Sequence, residues 1–314
     1  MLLGISLDPH RNGGKMILVD MSQIQIANLM AGINSWMKGM NVDENILRHM
    51  ILNSLRSYRD QFEGDYGELV LCYDSHSWRK ERFPFYKAAR KKARAASGLD
   101  WNEVFEAFGK IENELRENFP YATLRVNNAE ADDIIGAIVI DKCQIVGGEK
   151  VLIISGDKDF IQLHNRGDVT QWSPTLKKFV KHDAPARYLA EHICRGDSGD
   201  GIPNVLSDDD TFVVEGKRQK QLRAKALEEL ITIGIDVYDY SNSDPKLINE
   251  TTIRNWARNA DLIDINRMPE EIRAEILNTY NIESEAAEKR GRKNLYTYFV
   301  EHRLINLLDE ISAF

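Results

Sequence analysis

Nine carboxylates in this 314-residue chain stand where strands and turns would end, and that placement carries the chemistry. Asp20 closes the apolar run 16–19, Asp74 follows 69–73, and Asp157 with Asp159 follows 151–154. Glu130, Asp132 and Asp133 open a helical pattern behind a third apolar run near 124–126. Asp197 and Asp200 lie in Gly196-Asp197-Ser198-Gly199-Asp200-Gly201-Ile202-Pro203. Singly, each has an ordinary reading, since acids are common at strand exits and turns and favour the positive end of a helix. Strands of an open parallel sheet, however, point their carboxyl ends at one crevice. Acids gathered there would repel strongly unless divalent cations neutralised them. Oxygen donors select Mg²⁺ or Mn²⁺, and the set is large enough for two ions. Two ions about 3.5–4 Å apart suit in-line phosphoryl displacement by an activated water. Glu130 and Asp133 share a helix face, whereas Glu130 and Asp132 do so only if the first turn is irregular, so the direct ligand is left open.

A second feature is electrostatic. Between residues 79 and 94 there are eight basic residues and one acid, a local excess of seven in a chain of net charge −8, which leaves −15 elsewhere. A basic run alone is as often a solvated helix face. Interleaving with Trp78, Phe83, Phe85 and Tyr86 points to single-stranded nucleic acid, where phosphates are neutralised and bases stack.

Short apolar runs alternate with longer helical patterns, which predicts an α/β fold with a mostly parallel sheet. Strands are expected at 16–19, 69–73, 124–126 and 151–154, with a hairpin or edge pair at 169–172 and 178–180. Helical patterns fill much of 23–62, with Ser22 as N-cap, and recur at 101–118, 130–146, 157–163, 183–195, 217–232, 247–258, 269–280 and 294–311. Residues 240–245 read as a loop and 283–293 as a charged, exposed connector. A boundary near 185 divides a catalytic domain, 1–185, from a smaller mainly helical one, 186–314.

Composition excludes other classes. Hydrophobic residues make up 43% and charged residues 29%, which suits a chain with a buried core rather than disorder. No run approaches the roughly 18 apolar residues of a membrane helix, and the apolar start is too short for a signal-peptide core, so a cytoplasmic protein is expected. Cys72, Cys143 and Cys194 stand singly and read as reduced and structural. Seven scattered histidines lack a His-Glu-x-x-His pattern, so any metal is expected to be held by oxygen.

In ordered combination these motifs resemble the 5′-nuclease superfamily of flap endonucleases, polymerase-associated 5′-exonuclease domains and phage 5′-exonucleases, and most of all the ribonucleases H of T-even-type bacteriophages. The resemblance rests on Asp20, Tyr73-Asp74, residues 79–90, Glu130–Asp133, residues 155–160, Gln171-Trp172-Ser173-Pro174, residues 196–203 and the carboxyl-terminal helices, nearly the whole chain. It implies a PIN-like fold with a helical arch at about 76–118. Two Mg²⁺ ions are implied, with Mn²⁺ as substitute: Asp20, Asp74, Glu130, Asp132 and Asp157 around the first, Asp159, Asp197 and Asp200 around the second, and Asp133 shared or outer. Lys87 and Arg90 are implied at the arch base near the scissile phosphate, where they act with Asp132 and Asp157 in catalysis. Arg79, Lys80, Arg82, Tyr86, Lys91, Lys92 and Arg94 would join Lys87 and Arg90 in strand contact.

The implied activity is 5′-3′ exonuclease and flap endonuclease action on RNA–DNA hybrids and forked or 5′-flap DNA, removing RNA primers in phage replication inside the infected bacterial host. A monomer is expected, with the phage sliding clamp and single-strand-binding protein as partners and Leu2, Leu3 and Ile5 as a docking candidate. After Pro203 the chain departs from the family: Asp208, Asp209 and Asp210 replace a glycine-rich hairpin, would repel DNA, and put a monovalent-cation site in doubt. Lys217, Arg218, Lys220, Arg223 and Lys225 are the alternative duplex contact. Two rivals remain: a topoisomerase-primase-type domain, which leaves Asp20, Asp74 and the basic segment unexplained, and a nucleic-acid-binding relative with a decayed metal site.

Overall fold

The computed structural model describes residues 14–35, 43–143, 148–235 and 246–314. The docking candidate Leu2, Leu3 and Ile5 and the 240–245 loop lie outside them. In chain order the elements are β1 (Lys15–Asp20), α1 (Met21–Ser35), α2 (Glu44–Tyr66), β2 (Leu69–Tyr73), α3 (Arg79–Arg82), α4 (Ala88–Ala96), α5 (Trp101–Asn118), β3 (Ala122–Arg125), α6 (Ala131–Lys142) and β4 (Lys150–Ile154). There follow β5 (Asp168–Ser173), β6 (Lys178–Val180), α7 (Pro185–Arg195), α8 (Ala224–Ile235), α9 (Glu250–Ile263), α10 (Glu270–Arg290), α11 (Leu295–Glu301) and α12 (Ile305–Leu308).

The six strands form one sheet in the order β3-β2-β1-β4-β5-β6, parallel except for the β5–β6 edge pair. The chain moves outward from β1 through β2 to β3, then returns to β4 on the other side of β1. That reversal opens a crevice at the carboxyl ends of β1 and β4, where Asp20 and Asp157 emerge. The central strands read as continuous apolar runs because helices cover both faces. One face packs against α1, α2 and α5, the other against α6 and α10.

Residues 185–263 build two small clusters, one of them together with Phe83 and Tyr86, while Ile265, Met268, Ile272 and Ile276 return to the core beside α6, and Leu295, Phe299, Leu307 and Phe314 fill the core under α2 and α5. Gly136 makes room for that return, since a Cβ there would lie 2.1 Å from Ile265 Cγ2.

Four local expectations are corrected. Helix α1 begins at Met21, directly after the strand. Asp20 accepts the Gln23 N–H at 3.1 Å, and the Ser22 hydroxyl accepts the Asp74 N–H at 3.2 Å instead of capping its own helix. The pattern expected from 217 becomes helical only at Ala224. Residues 283–290 continue α10, because no breaker intervenes before Gly291 and Ala287 is buried. The stretch after Asp157 is a 3₁₀ turn, Lys158–Leu163. Among the described residues no helix is long and apolar enough to cross a membrane.

Candidate active site

A cleft of about 1300 Å³ opens at the reversal point, and Asp20, Asp74, Glu130, Asp132, Asp157, Asp159 and Asp200 line it. Strand ends position most of them. Asp20 is held by Gln23 N–H and by the Ser155 hydroxyl at 2.9 Å. Asp74 accepts the Ala131 N–H at 2.8 Å, which fixes the start of α6 against the end of β2. Asp157 accepts the Asp159 N–H at 3.0 Å. The second group sits on a loop locked from behind. Gly196 has φ +66, and a Cβ on it would meet Ile202 O at 2.3 Å, so this turn requires glycine. Asn259 on α9 donates to Ile193 O and Pro203 O, while Asn255 donates to Val205 O and Ser207 O. These bonds anchor the loop that carries Asp197 and Asp200.

The carboxylates divide by their counter-charges. Glu130 accepts from Lys87 Nζ at 2.6 Å, Ser77 Oγ at 2.6 Å, Tyr86 OH at 2.8 Å and Arg79 at 3.2 Å. Asp200 is met by Arg90 at 2.6 Å and Tyr86 OH at 3.0 Å, with Lys87 at 3.5 Å. Asp20, Asp74 and Asp157 have no Lys or Arg within ion-pair distance among the described residues. Burial, and then the charge of Asp74, pushes Asp20 up to about 7; burial, and then Asp157, does the same for Asp159. Burial also raises Asp132 well above the carboxylate range, against the pull of Arg79. Glu130 goes the other way: burial would raise it, but Lys87 and Arg79 prevail and hold it at about 2.

Asp133 is turned away from the cleft. It is fully buried, takes Trp78 Nε1 at 3.2 Å and Arg79 at 2.9 Å, and accepts the Glu130 N–H at 3.0 Å. This is the reciprocal half of a capping box. One oxygen each of Glu130, Asp132 and Asp133 lies within 4.8 Å of the others, with Asp133 behind the cleft wall; Glu130 is the extended N-cap residue rather than part of α6, so both it and Asp132 line the cleft. Asp197, also outside the cleft lining, accepts the Gly199 and Asp200 N–H groups.

The basic segment is likewise split. Arg79 is 2% exposed and its guanidinium serves Glu130, Asp132, Asp133 and Leu262 O, so it is not presented to a strand as expected. Trp78, Phe83 and Tyr86 are buried too, which removes the stacking role expected of them; Phe83 and Tyr86 instead join Ile193, Ile202 and Ile263 in a cluster that fastens the segment to α7 and α9. Lys80, Arg82, Arg90, Lys91, Lys92 and Arg94 are exposed, and α4 buries no residue at all. Lys80, Lys87, Arg90, Lys91 and Arg94 line the cleft.

Two corrections concern unexpected partners. His192 on α7 was not singled out, since scattered histidines carry no spacing signal. Its Nδ1 lies 3.3 Å from Asp159 and its Nε2 3.4 Å from Asp197, so a nitrogen stands in a site expected to be all oxygen. Burial lowers the His192 pKa, but Asp197 and Asp159 prevail and raise it; Asp197 is lowered by the same hydrogen bond. The acidic run after Pro203 is also not bare. Lys217 pairs with Asp208 and Asp210, and Arg254 and Arg258 pair with Asp209, which cancels most of the expected repulsion.

Comparison with known proteins decides the family. Residues 15–191 match the model for the 5′-3′ exonuclease, N-terminal resolvase-like domain, and residues 186–314 match that for the T4 RNase H carboxyl-terminal region. The chain belongs to the 5′-3′ exonuclease family. It is 32% identical over 322 residues to the ribonuclease H of Enterobacteria phage T4, covering 100% of both chains. Flap endonuclease Xni of Shewanella sp. (strain W3-18-1) is 30% identical over 144 residues, 42% of this chain and 49% of that one. The 5′-3′ exonuclease fold is shared with the T5 D15 flap endonuclease, solved as a pseudo-enzyme–product complex with DNA and metal ions (TM-score 0.60, 17% identity, covering 87% of this chain and 99% of that one).

Proposed function

We propose that this family member is a Mg²⁺-dependent 5′-3′ exonuclease and flap endonuclease that hydrolyses phosphodiester bonds in RNA–DNA hybrids and at DNA 5′ ends, and so removes RNA primers during phage DNA replication. The observation that carries the reading is the contrast in counter-charge. Among the described residues Asp20, Asp74 and Asp157 have no Lys or Arg within ion-pair distance although cations line the same cleft, and Asp20 and Asp159 hold protons to about 7. Divalent cations relieve that condition, and a hard carboxylate set suits Mg²⁺, with Mn²⁺ as substitute.

Asp20, Asp74, Asp132 and Asp157 would hold one ion, and Asp159, Asp197 and Asp200 the other, with His192 orienting Asp159 and Asp197. Glu130 is engaged by Lys87 and Arg79 and acts from the outer ring. Bound divalent cations supply Lewis acidity, lowering the pKa of water and offsetting phosphate charge. The chain's own contribution is positioning. Lys87 and Arg90 stand at the cleft edge, each held by a carboxylate, and offer positive charge where phosphate charge develops. Exposed Lys80, Arg82, Lys91, Lys92 and Arg94 guide the strand. Residues 76–118 form the arch of a catalytic part, 1–185, and 186–314 supply duplex and partner contacts. The protein acts as a monomer in the host cytoplasm, beside the sliding clamp and the single-strand-binding protein.

A cleavage assay tests this with 5′-labelled flap DNA and a 5′-labelled RNA–DNA hybrid. Release of short 5′ products in Mg²⁺ and their loss with chelator are expected. Intact substrate in Mg²⁺ and in Mn²⁺, with folded protein that still binds DNA, would leave a binding module only.

A further inference from the structure

The cleft is longer than its acidic centre. Beyond Asp20 and Asp74 it continues as an annex between α1 and α5, walled by Ile26 and Ala27 on one side and by Phe105, Phe108 and Gly109 on the other. Spacing of three and four residues along α5 puts Phe105, Phe108, Gly109, Glu112 and Asn113 on one face. A Cβ on Gly109 would meet nothing within 4 Å, so the groove beside it is open space. Phe105 is 43% exposed there. Its ring is packed on one side: the Trp101 ring lies 5.6 Å away at 40°, and the Arg94 guanidinium sits over both rings, 5.0 Å from Phe105 and 5.4 Å from Trp101. Arg94 also ties the base of α5 to α4, the helix whose Arg90 and Lys91 line the same cleft.

An aromatic ring fixed on one side by a cation and open on the other, continuous with a phosphate-seeking cationic wall, fits one chemistry. We propose that Phe105 is the stacking platform for an unpaired nucleobase of the 5′ strand, held in the α1–α5 annex while its phosphates run along α4. The inference rests on the nuclease reading and adds a positioning residue to it. Every base has a π-face, so stacking holds a strand without reading sequence and without distinguishing ribose from deoxyribose. That property suits an enzyme that must accept both RNA and DNA 5′ ends.

The test uses a flap substrate with 2-aminopurine in the unpaired strand next to the junction. Fluorescence is read in chelator, and KM and kcat are read in Mg²⁺. Wild type is expected to quench the probe, and Phe105→Ala to lose the quench and raise KM about tenfold, equivalent to about 1.4 kcal/mol, within what base–aromatic stacking supplies. kcat changes less. Phe105→Trp restores both readouts, and Gly109→Leu, whose Cβ meets nothing within 4 Å and whose side chain takes up space in the annex, reproduces the loss. Replacing the probed nucleotide by an abasic residue makes wild type and Phe105→Ala equal in KM. Equal quench and equal KM in wild type and Phe105→Ala would overturn the proposal, as would a KM difference that survives the abasic substitution. Absence of cleavage by wild type would sink the nuclease reading itself, whereas the quench in chelator is read independently of it.

Discussion

The Lys87 ammonium lies 2.6 Å from the Glu130 carboxylate, while the Lys87 backbone N–H donates to Asp200 O at 2.7 Å. One residue thereby joins the start of α4, the start of α6 and the 196–203 loop, and it does so with a left-handed backbone, φ 54. Such a conformation in a lysine is a local cost that persists only where surrounding contacts over-determine it. The link gives Lys87 a definite place at the cleft edge.

Lys87→Ala therefore tests charge placement. Glu130 keeps Arg79, Ser77 and Tyr86, so the fold is expected to hold. Steady-state kinetics on flap DNA should show kcat down about 10²-fold with DNA affinity within about threefold, the signature of an interaction made mainly in the transition state. Equal losses in kcat and affinity would make Lys87 a plain phosphate contact.

Asp157→Asn addresses the metal chemistry. Asp157 is exposed and has no basic partner among the described residues, so thermal stability should stay near wild type while turnover falls about 10³-fold or more and DNA binding in chelator persists. Comparable loss of turnover and binding would contradict its assignment.

Arg79→Ala probes the buried network. Removing a guanidinium that serves Glu130, Asp132 and Asp133 leaves buried carboxylates uncompensated, and urea unfolding should show a loss of about 3–5 kcal/mol. Lys92→Ala on exposed α4 should change stability by less than about 0.5 kcal/mol while weakening DNA binding and its salt dependence. Stability unchanged in Arg79→Ala would remove the structural role given to it here.

Acidity sets a further expectation. Asp20 and Asp159 are raised to about 7 in the fold from an ordinary 3.8. Between those values the native state binds more protons than the unfolded one, so metal-free stability is greatest below about pH 4 from these groups and is lost as pH rises towards 7. Cations must displace those protons, so Mg²⁺ affinity should climb through the same window and level off above it. Chemical denaturation at pH 5 and pH 8, with and without Mg²⁺, reads both effects. Equal metal-free stability contributions at the two pH values would contradict the burial and mutual repulsion that raise these acids.

Much of this architecture was legible beforehand for physical reasons. Buried parallel strands are apolar runs in sequence, and Asp20, Asp74 and Asp157 close or follow three of them, so the acids could be read together with the strands that carry them, whereas the strand order could not. Arg79 and Tyr86 were misplaced because a basic, aromatic segment looks the same in sequence whether it faces solvent or folds back on carboxylates. His192 and Phe105 carry no motif. Only the packing of α7 against the loop, and of α5 along the cleft, reveals them. Likewise, nothing local announces that 265–314 return to the first core, since that return depends on a space left at Gly136.

The central claim is that the acids at the β1–β4 reversal point hold divalent cations. Anomalous diffraction from crystals soaked in Mn²⁺ measures this directly. Two peaks are predicted within coordinating distance, one among Asp20, Asp74, Asp132 and Asp157 and one among Asp159, Asp197 and Asp200. A folded protein with no peak touching any of these carboxylates at saturating Mn²⁺ would contradict the account.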